Sequence, residues 1–108
     1  YLFIAAHEDD PSLDIHDLKR FFTHVLQRVS WERDLHFQTR TTIDTLDYSG
    51  TDLNEGSKVV VASAGHIRRK LAETIPTGIS WPNGISEPRM GMPGVLLLQG
   101  IPFEPKEN

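Results

Sequence analysis

Three short runs of this chain are apolar at almost every position: Tyr1-Leu2-Phe3-Ile4-Ala5-Ala6, the valines 59–61 inside Ser57–Ser63, and Val95-Leu96-Leu97-Leu98. A strand wetted on one side alternates apolar and polar side chains. Short unbroken apolar runs are instead the pattern of strands buried on both faces. Such strands need covering layers, and that demand constrains the fold more than any other feature of the sequence.

Two stretches have helical period. Ile15, Leu18, Phe22, Val25, Leu26 and Val29 form one stripe between Asp14 and Val29. Asp14 is the expected N-cap, and Asp17 places negative charge where the helix dipole favours it. Further on, Ile67, Leu71 and Ile75 fall at i, i+4 and i+8 and are followed by Pro76 and Gly78, which predicts a second helix and its end. Leu35, Phe37 and Thr39 alternate with His36, Gln38 and Arg40, as in a strand with one wetter face.

The expected order is therefore β-α-β-loop-β-α-β. It describes an α/β fold with a mostly parallel or mixed four-stranded sheet and two main helices. A split βαβ of the ferredoxin-like kind has the same order and stands as the alternative topology. At 108 residues the chain is expected to be one domain. Residues 41–55 are rich in turn formers, and residues 76–94 hold four prolines and four glycines, the mark of an ordered loop. Residues 102–108, with Pro102 and Pro105, read as a departing tail. Two helices cannot cover both faces of such a sheet, so part of its surface is expected to meet another domain or subunit.

Composition narrows the function. A net charge of -4 without a basic face argues against a nucleic-acid binder. The absence of cysteine removes disulfides, thiolate ligands and cysteine nucleophiles together. No apolar run approaches the ~20 residues of a membrane-spanning helix, and no basic region precedes an apolar stretch as in a secretory signal. A cytoplasmic chain is expected. Tyr1 in place of Met suggests a domain cut from a longer protein.

The best local candidate for chemistry is the strand-to-helix junction Ala62-Ser63-Ala64-Gly65-His66-Ile67-Arg68-Arg69. A helix N-terminus after a buried strand offers unpaired N–H groups to an anion. Ser63, Gly65, His66, Arg68 and Arg69 would form that site. The plainer reading makes Ser63 a cap, Gly65 a packing residue and the arginines solvated. Gly50 to Lys58 only mimics a phosphate loop, because five residues separate its glycines and Ser57 precedes Lys58.

His7, Glu8, Asp9 and Asp10 end the first strand, but their spacing matches no metal motif and fits an acidic turn better. Asp44 and Asp47 are explained by turn bonding without an acid–base role, and Ser49 has no neighbouring His. His16 and His24 read as helix-surface positions, and Trp31 and Trp81 as packing anchors. No catalytic, cofactor-binding or metal-ligating residue is assigned.

Several ordered segments together have a familiar look. They are Asp34 to Gly50 (DLHFQTRTTIDTLDYSG), Asn54 to Gly65 (NEGSKVVVASAG), Arg68-Arg69, Pro88-Arg89 and Pro93-Gly94-Val95-Leu96. Together they resemble the C-terminal region of UbiD-type decarboxylases, the prenylated-flavin-dependent carboxy-lyases. The resemblance implies a parent enzyme that reversibly decarboxylates aromatic or α,β-unsaturated acids with prenylated FMN, a divalent metal and often K+. It places the cofactor and the catalytic Arg and acidic residues in a central split-barrel domain outside this sequence, so none of them is carried onto these positions. The implied role here is a non-catalytic domain for homo-oligomer contacts and one side of the active-site cleft. A small anion- or nucleotide-binding module centred on Gly65–Arg69 is the alternative.

Overall fold

A computed structural model describes residues 1–42 and 55–105, with backbone alone at 41, 42 and 55. The chain divides into two compact units, Tyr1–Lys70 and Leu71–Asn108.

The first unit contains β1 (Leu2–Ala5), a 3-10 turn (His7–Asp9), α1 (Leu18–Arg28), β2 (Leu35–Thr42) and β3 (Glu55–Ser63). Its sheet has the order β1-β3-β2, with β1 parallel and β2 antiparallel to β3. Val61 is the register partner of both Phe3 and Leu35, so these side chains share a face. Val25 and Val29 of the α1 region form the core with Val61, and Phe3, Ala5, Phe21, Leu35 and Val59 pack around them. One helix thus covers one face of a three-stranded mixed sheet. The arrangement is that of the first three strands of a split βαβ.

The α1 stripe was legible, but its start was not. Asp17, not Asp14, is the N-cap, its carboxylate accepting the Arg20 amide at 3.1 Å. Asp14 instead accepts the His16 amide at 2.8 Å in a turn ahead of the helix. Both aspartates satisfy capping chemistry, and the helix begins at the later one. Ile15 is therefore outside α1, and it and Leu18 stay 65% and 62% exposed.

The predicted second helix does not form, and residues 64–85 carry neither helix nor strand. The cause is a competing use of the same backbone. The last carbonyls of a helix lack intrahelical donors. Here the Arg68 and Arg69 amides donate to Gln27 O at 2.8 and 3.3 Å, and Gly65 turns the chain with φ +103. Amides committed to another helix cannot build a ladder of their own.

The expected four-stranded sheet is also corrected, because the last strand pairs elsewhere. In the second unit, β4 (Ser86–Met92) and β5 (Val95–Gln99) form an antiparallel two-stranded sheet. β4 arises inside the stretch 76–94 that sequence assigned to loop. Register shifts between Ser86 and Arg89, and between Met90 and Met92, accommodate Pro88 and Gly91 in a strand. Pro93-Gly94 closes the hairpin, Pro supplying its fixed φ and Gly94 the φ of +78 that the third position of a type II turn requires.

Candidate functional site

The sequence-predicted junction lies at the C-terminal end of β3, and the backbone of Ala64 and Gly65 is drawn into internal bonding. Gly65 donates its amide to Asp9 Oδ2 at 2.8 Å. Its carbonyl accepts from Arg28 Nε at 3.1 Å, and the Ala64 carbonyl accepts from Arg33 Nη2 at 3.4 Å. The ends of β1 and β3 are thus fastened to each other and to the end of α1. Without a second helix, the N-terminal amides proposed for an anion are not arrayed at this point.

Arg69 closes the far end of α1. Its guanidinium donates to the carbonyls of Leu26 and Val29 and lies 5.7 Å from the Trp31 ring centroid. A cation at a helix C-terminus also meets the negative end of the dipole. Trp31 therefore serves as a packing platform for an arginine. Arg68 and His66 are exposed. Ser63 is buried, with no partner for its hydroxyl among the described residues.

The acidic run is likewise occupied. Asp10 accepts from the Ser12 hydroxyl at 2.7 Å and from Arg20 Nη2 at 2.8 Å. Ser12 first, and then the Arg20 guanidinium, hold its carboxyl below the ordinary range. Asp9 holds Gly65. Among the described residues, no three His, Asp or Glu side chains converge as metal ligands. Asp44, Asp47 and Ser49, and most of the Gly50–Lys58 run, lie outside the described residues.

Sequence reasoning missed two buried groups. Asp34 is only 3% exposed. It is bonded to Arg33 Nε at 2.6 Å and to the Ser30 amide at 2.7 Å, and the Arg33 guanidinium holds its carboxyl low. His24, read as a surface position, is buried instead, with no partner for Nε2 among the described residues. Burial, then the nearby Arg28 charge, pushes its pKa down. The signal for His24 was its place beside Val25 on the helix stripe.

What remains open lies beside β1. A hollow of about 540 Å³ is lined by Phe3, Ile4, Leu13, Ile15, Leu18 and Phe22, among others. Phe22 meets Phe3 edge-to-face with centroids 5.0 Å apart, which fixes the floor. This surface is mostly apolar, with His7 and Asp10 also among its lining residues; the shortage of helices led to an expectation of undercovered sheet surface, without locating it. Among the described residues, no helix is long and apolar enough to cross a membrane.

Comparison with known proteins bears on this unit most. Residues 1–63 match the family model described as 3-octaprenyl-4-hydroxybenzoate carboxy-lyase C-terminal domain, a match ending at the last residue of β3. An uncharacterized protein of Chlamydia trachomatis serovar D is 36% identical over 90 residues, covering 83% of this chain and 15% of that protein. One of Chlamydia caviae is 36% identical over 99 residues, covering 92% of this chain and 16% of that protein. One of Chlamydia muridarum is 33% identical over 90 residues, 83% of this chain and 15% of that protein. The chain thus spans 15–16% of the length of these relatives. No solved structure matches it.

Proposed function

We propose a role from one premise: this chain belongs to the family of 3-octaprenyl-4-hydroxybenzoate carboxy-lyase C-terminal domains. In this reading it is a non-catalytic domain of a UbiD-like carboxy-lyase. It forms one side of the active-site cleft and holds the parent's domains or subunits together. The parent acts on an aromatic or α,β-unsaturated acid, and its catalytic split-barrel region is the partner.

The observation that supports this role is the apolar border of the first unit. Leu2, Ile4, Ile15 and Leu18 are all exposed, and Ile4, Ile15 and Leu18 line the hollow beside β1. Fully burying one such side chain gains roughly 1.5–3 kcal/mol, so a surface closing over the four gains several kcal/mol. That is enough to hold two domains in register.

Prenylated FMN, with its divalent metal and K+, would supply the electron sink for loss of carbon dioxide in the catalytic region. The described residues do not fit a resident metal site, since no three ligating side chains converge, and Asp9 and Asp10 are already bonded to Gly65, Ser12 and Arg20. No proton-transfer or redox step is assigned to this chain. Its residues contribute shape: β1 and α1 present a rigid apolar wall, and the Asp9–Gly65 bond fixes the strand ends that carry it.

Leu18→Asp in the full-length parent tests this role. Leu18 is exposed on the first turn of α1, where a carboxylate suits the helix dipole. The fold of the unit should therefore survive. The expected result is a fall in kcat/KM of about tenfold or more, equivalent to about 1.4 kcal/mol, with the flavin content per subunit unchanged. Unchanged activity, or loss of the flavin itself, would overturn the role.

A further inference from the structure

The two edges of the three-stranded sheet are built differently. At the β2 edge, His36, Gln38, Thr39 and Arg40 are exposed and polar beside one exposed aromatic, Phe37, the register with β3 shifts between Gln38 and Thr41, and Arg40 has φ +56. Polar side chains and an irregular register are what blunt an edge against further pairing. The β1 edge has neither. Its residues Leu2-Phe3-Ile4-Ala5 carry no charge, no proline and no bulge, and their register with β3 is unbroken from Leu2 to Ala5.

The backbone on that edge can be identified. Ala6 donates its amide to Ser63 O at 3.2 Å. Strand alternation then turns the Ile4 amide toward β3 as well, and turns the Phe3 and Ala5 amides and carbonyls outward. Those outward groups border the hollow of about 540 Å³ whose walls are Ile15, Leu18, Phe21 and Phe22. An unprotected strand edge beside an apolar trough has the chemistry of a strand-addition site: main-chain hydrogen bonds along one side and pockets for alternate apolar side chains on the other.

We infer that β1 pairs, through the Phe3 and Ala5 main chain, with an apolar β-strand from the part of the parent polypeptide that lies outside these 108 residues, and that this strand's side chains fill the hollow. The occupant follows from proportion: the chain spans 15–16% of its relatives' length, so most of each such polypeptide lies elsewhere and travels with this domain at high effective concentration. This inference rests on the proposed role as a domain of a larger carboxy-lyase, and it names the surface by which that domain is joined.

Residue-resolved hydrogen exchange on the full-length parent reads the pairing. The Phe3 and Ala5 amides should exchange as slowly as the Ile4 and Ala6 amides, on the order of a hundredfold slower than unpaired amides. Fast exchange at Phe3 and Ala5 with slow exchange at Ile4 and Ala6 overturns the pairing while showing the sheet intact. A photoreactive benzoylphenylalanine in place of Ile15 identifies the occupant. A cross-link within the same polypeptide, to a position outside residues 1–108, supports the inference. A cross-link to a second copy, or to a position inside residues 1–108, overturns it. Neither readout needs decarboxylation, so a parent that proves inactive with a protected edge would sink the carboxy-lyase reading and leave this one standing.

Discussion

Asp9 and Gly65 are joined across 56 positions of sequence by a single hydrogen bond, the Asp9 carboxylate accepting the Gly65 amide at 2.8 Å. The bond ties the turn after β1 to the turn after β3, the two parallel strands of the first unit. Arg28 holds the next peptide through the Gly65 carbonyl, which accepts from its Nε at 3.1 Å. The backbone at Gly65 is thus held through both its amide and its carbonyl by ionisable side chains.

Asp9→Ala should lower stability by about 0.5–1.5 kcal/mol, the usual net contribution of one intramolecular hydrogen bond. Asp9→Asn, which keeps an acceptor oxygen, should recover part of the loss. Urea unfolding of the full chain measures both. An Asp9→Ala midpoint equal to wild type would show that water replaces the carboxylate at no cost.

Gly65→Ala separates backbone strain from crowding. A Cβ at Gly65 meets nothing within 4 Å, yet its φ of +103 lies where L side chains rarely sit. The expected cost is about 1–2 kcal/mol, from conformation alone. A neutral substitution would mean that the turn relaxes freely.

Arg69→Lys should be nearly as damaging as Arg69→Ala, because one ammonium cannot reproduce a planar fork on the Leu26 and Val29 carbonyls. A loss of roughly 1–3 kcal/mol is expected for each. Arg68→Ala should cost little, since Arg68 is exposed and acts on α1 through its backbone amide. Thermal unfolding of the three variants gives the order. Lysine behaving like arginine would contradict the geometry.

His24 and Asp34 set the acid side of the stability curve. Burial lowers the His24 pKa in the folded state, so the unfolded chain takes up the proton first. That contribution is fully present above about pH 6.5 and is lost as pH falls through the lower folded value. Asp34 is also depressed, chiefly by Arg33. Its contribution is present above about pH 4 and is lost at lower pH still. His24→Leu should flatten the first step and cost about 1 kcal/mol or less at neutral pH, because it removes a buried nitrogen that has no partner among the described residues. Unfolding midpoints from pH 7 to 3 test both signs. A His24→Leu protein with the wild-type slope between pH 6.5 and 5 would refute the assignment.

Much of the fold was legible where one interaction decides the outcome. Phe22, Val25, Leu26 and Val29 read as a helix face, and the valines 59–61 as a strand, although of the three only Val61 is buried. The helix start was ambiguous because Asp14 and Asp17 lie three residues apart and both suit a cap. The Ile67, Leu71 and Ile75 period misled for a tertiary reason, since the Arg68 and Arg69 amides go to Gln27, and no local pattern registers a partner some forty residues away. β4 was hidden by Pro88 and Gly91, which a two-stranded ribbon tolerates through register shifts. For the site, the sequence led to an expectation of exposed apolar surface, and such surface lies beside β1; of the Gly65–Arg69 junction, the Gly65 backbone and the Arg69 guanidinium are engaged within the fold while His66 and Arg68 stay exposed. The family resemblance rested on segments as far along as Leu96, whereas the matched region ends at residue 63.

Decarboxylation by the full parent, reconstituted with prenylated flavin and assayed with and without residues 1–108, tests the central claim most directly. The prediction is activity toward an aromatic or α,β-unsaturated acid that collapses when these residues are removed, while the flavin stays bound. Activity that survives their removal undiminished would contradict it.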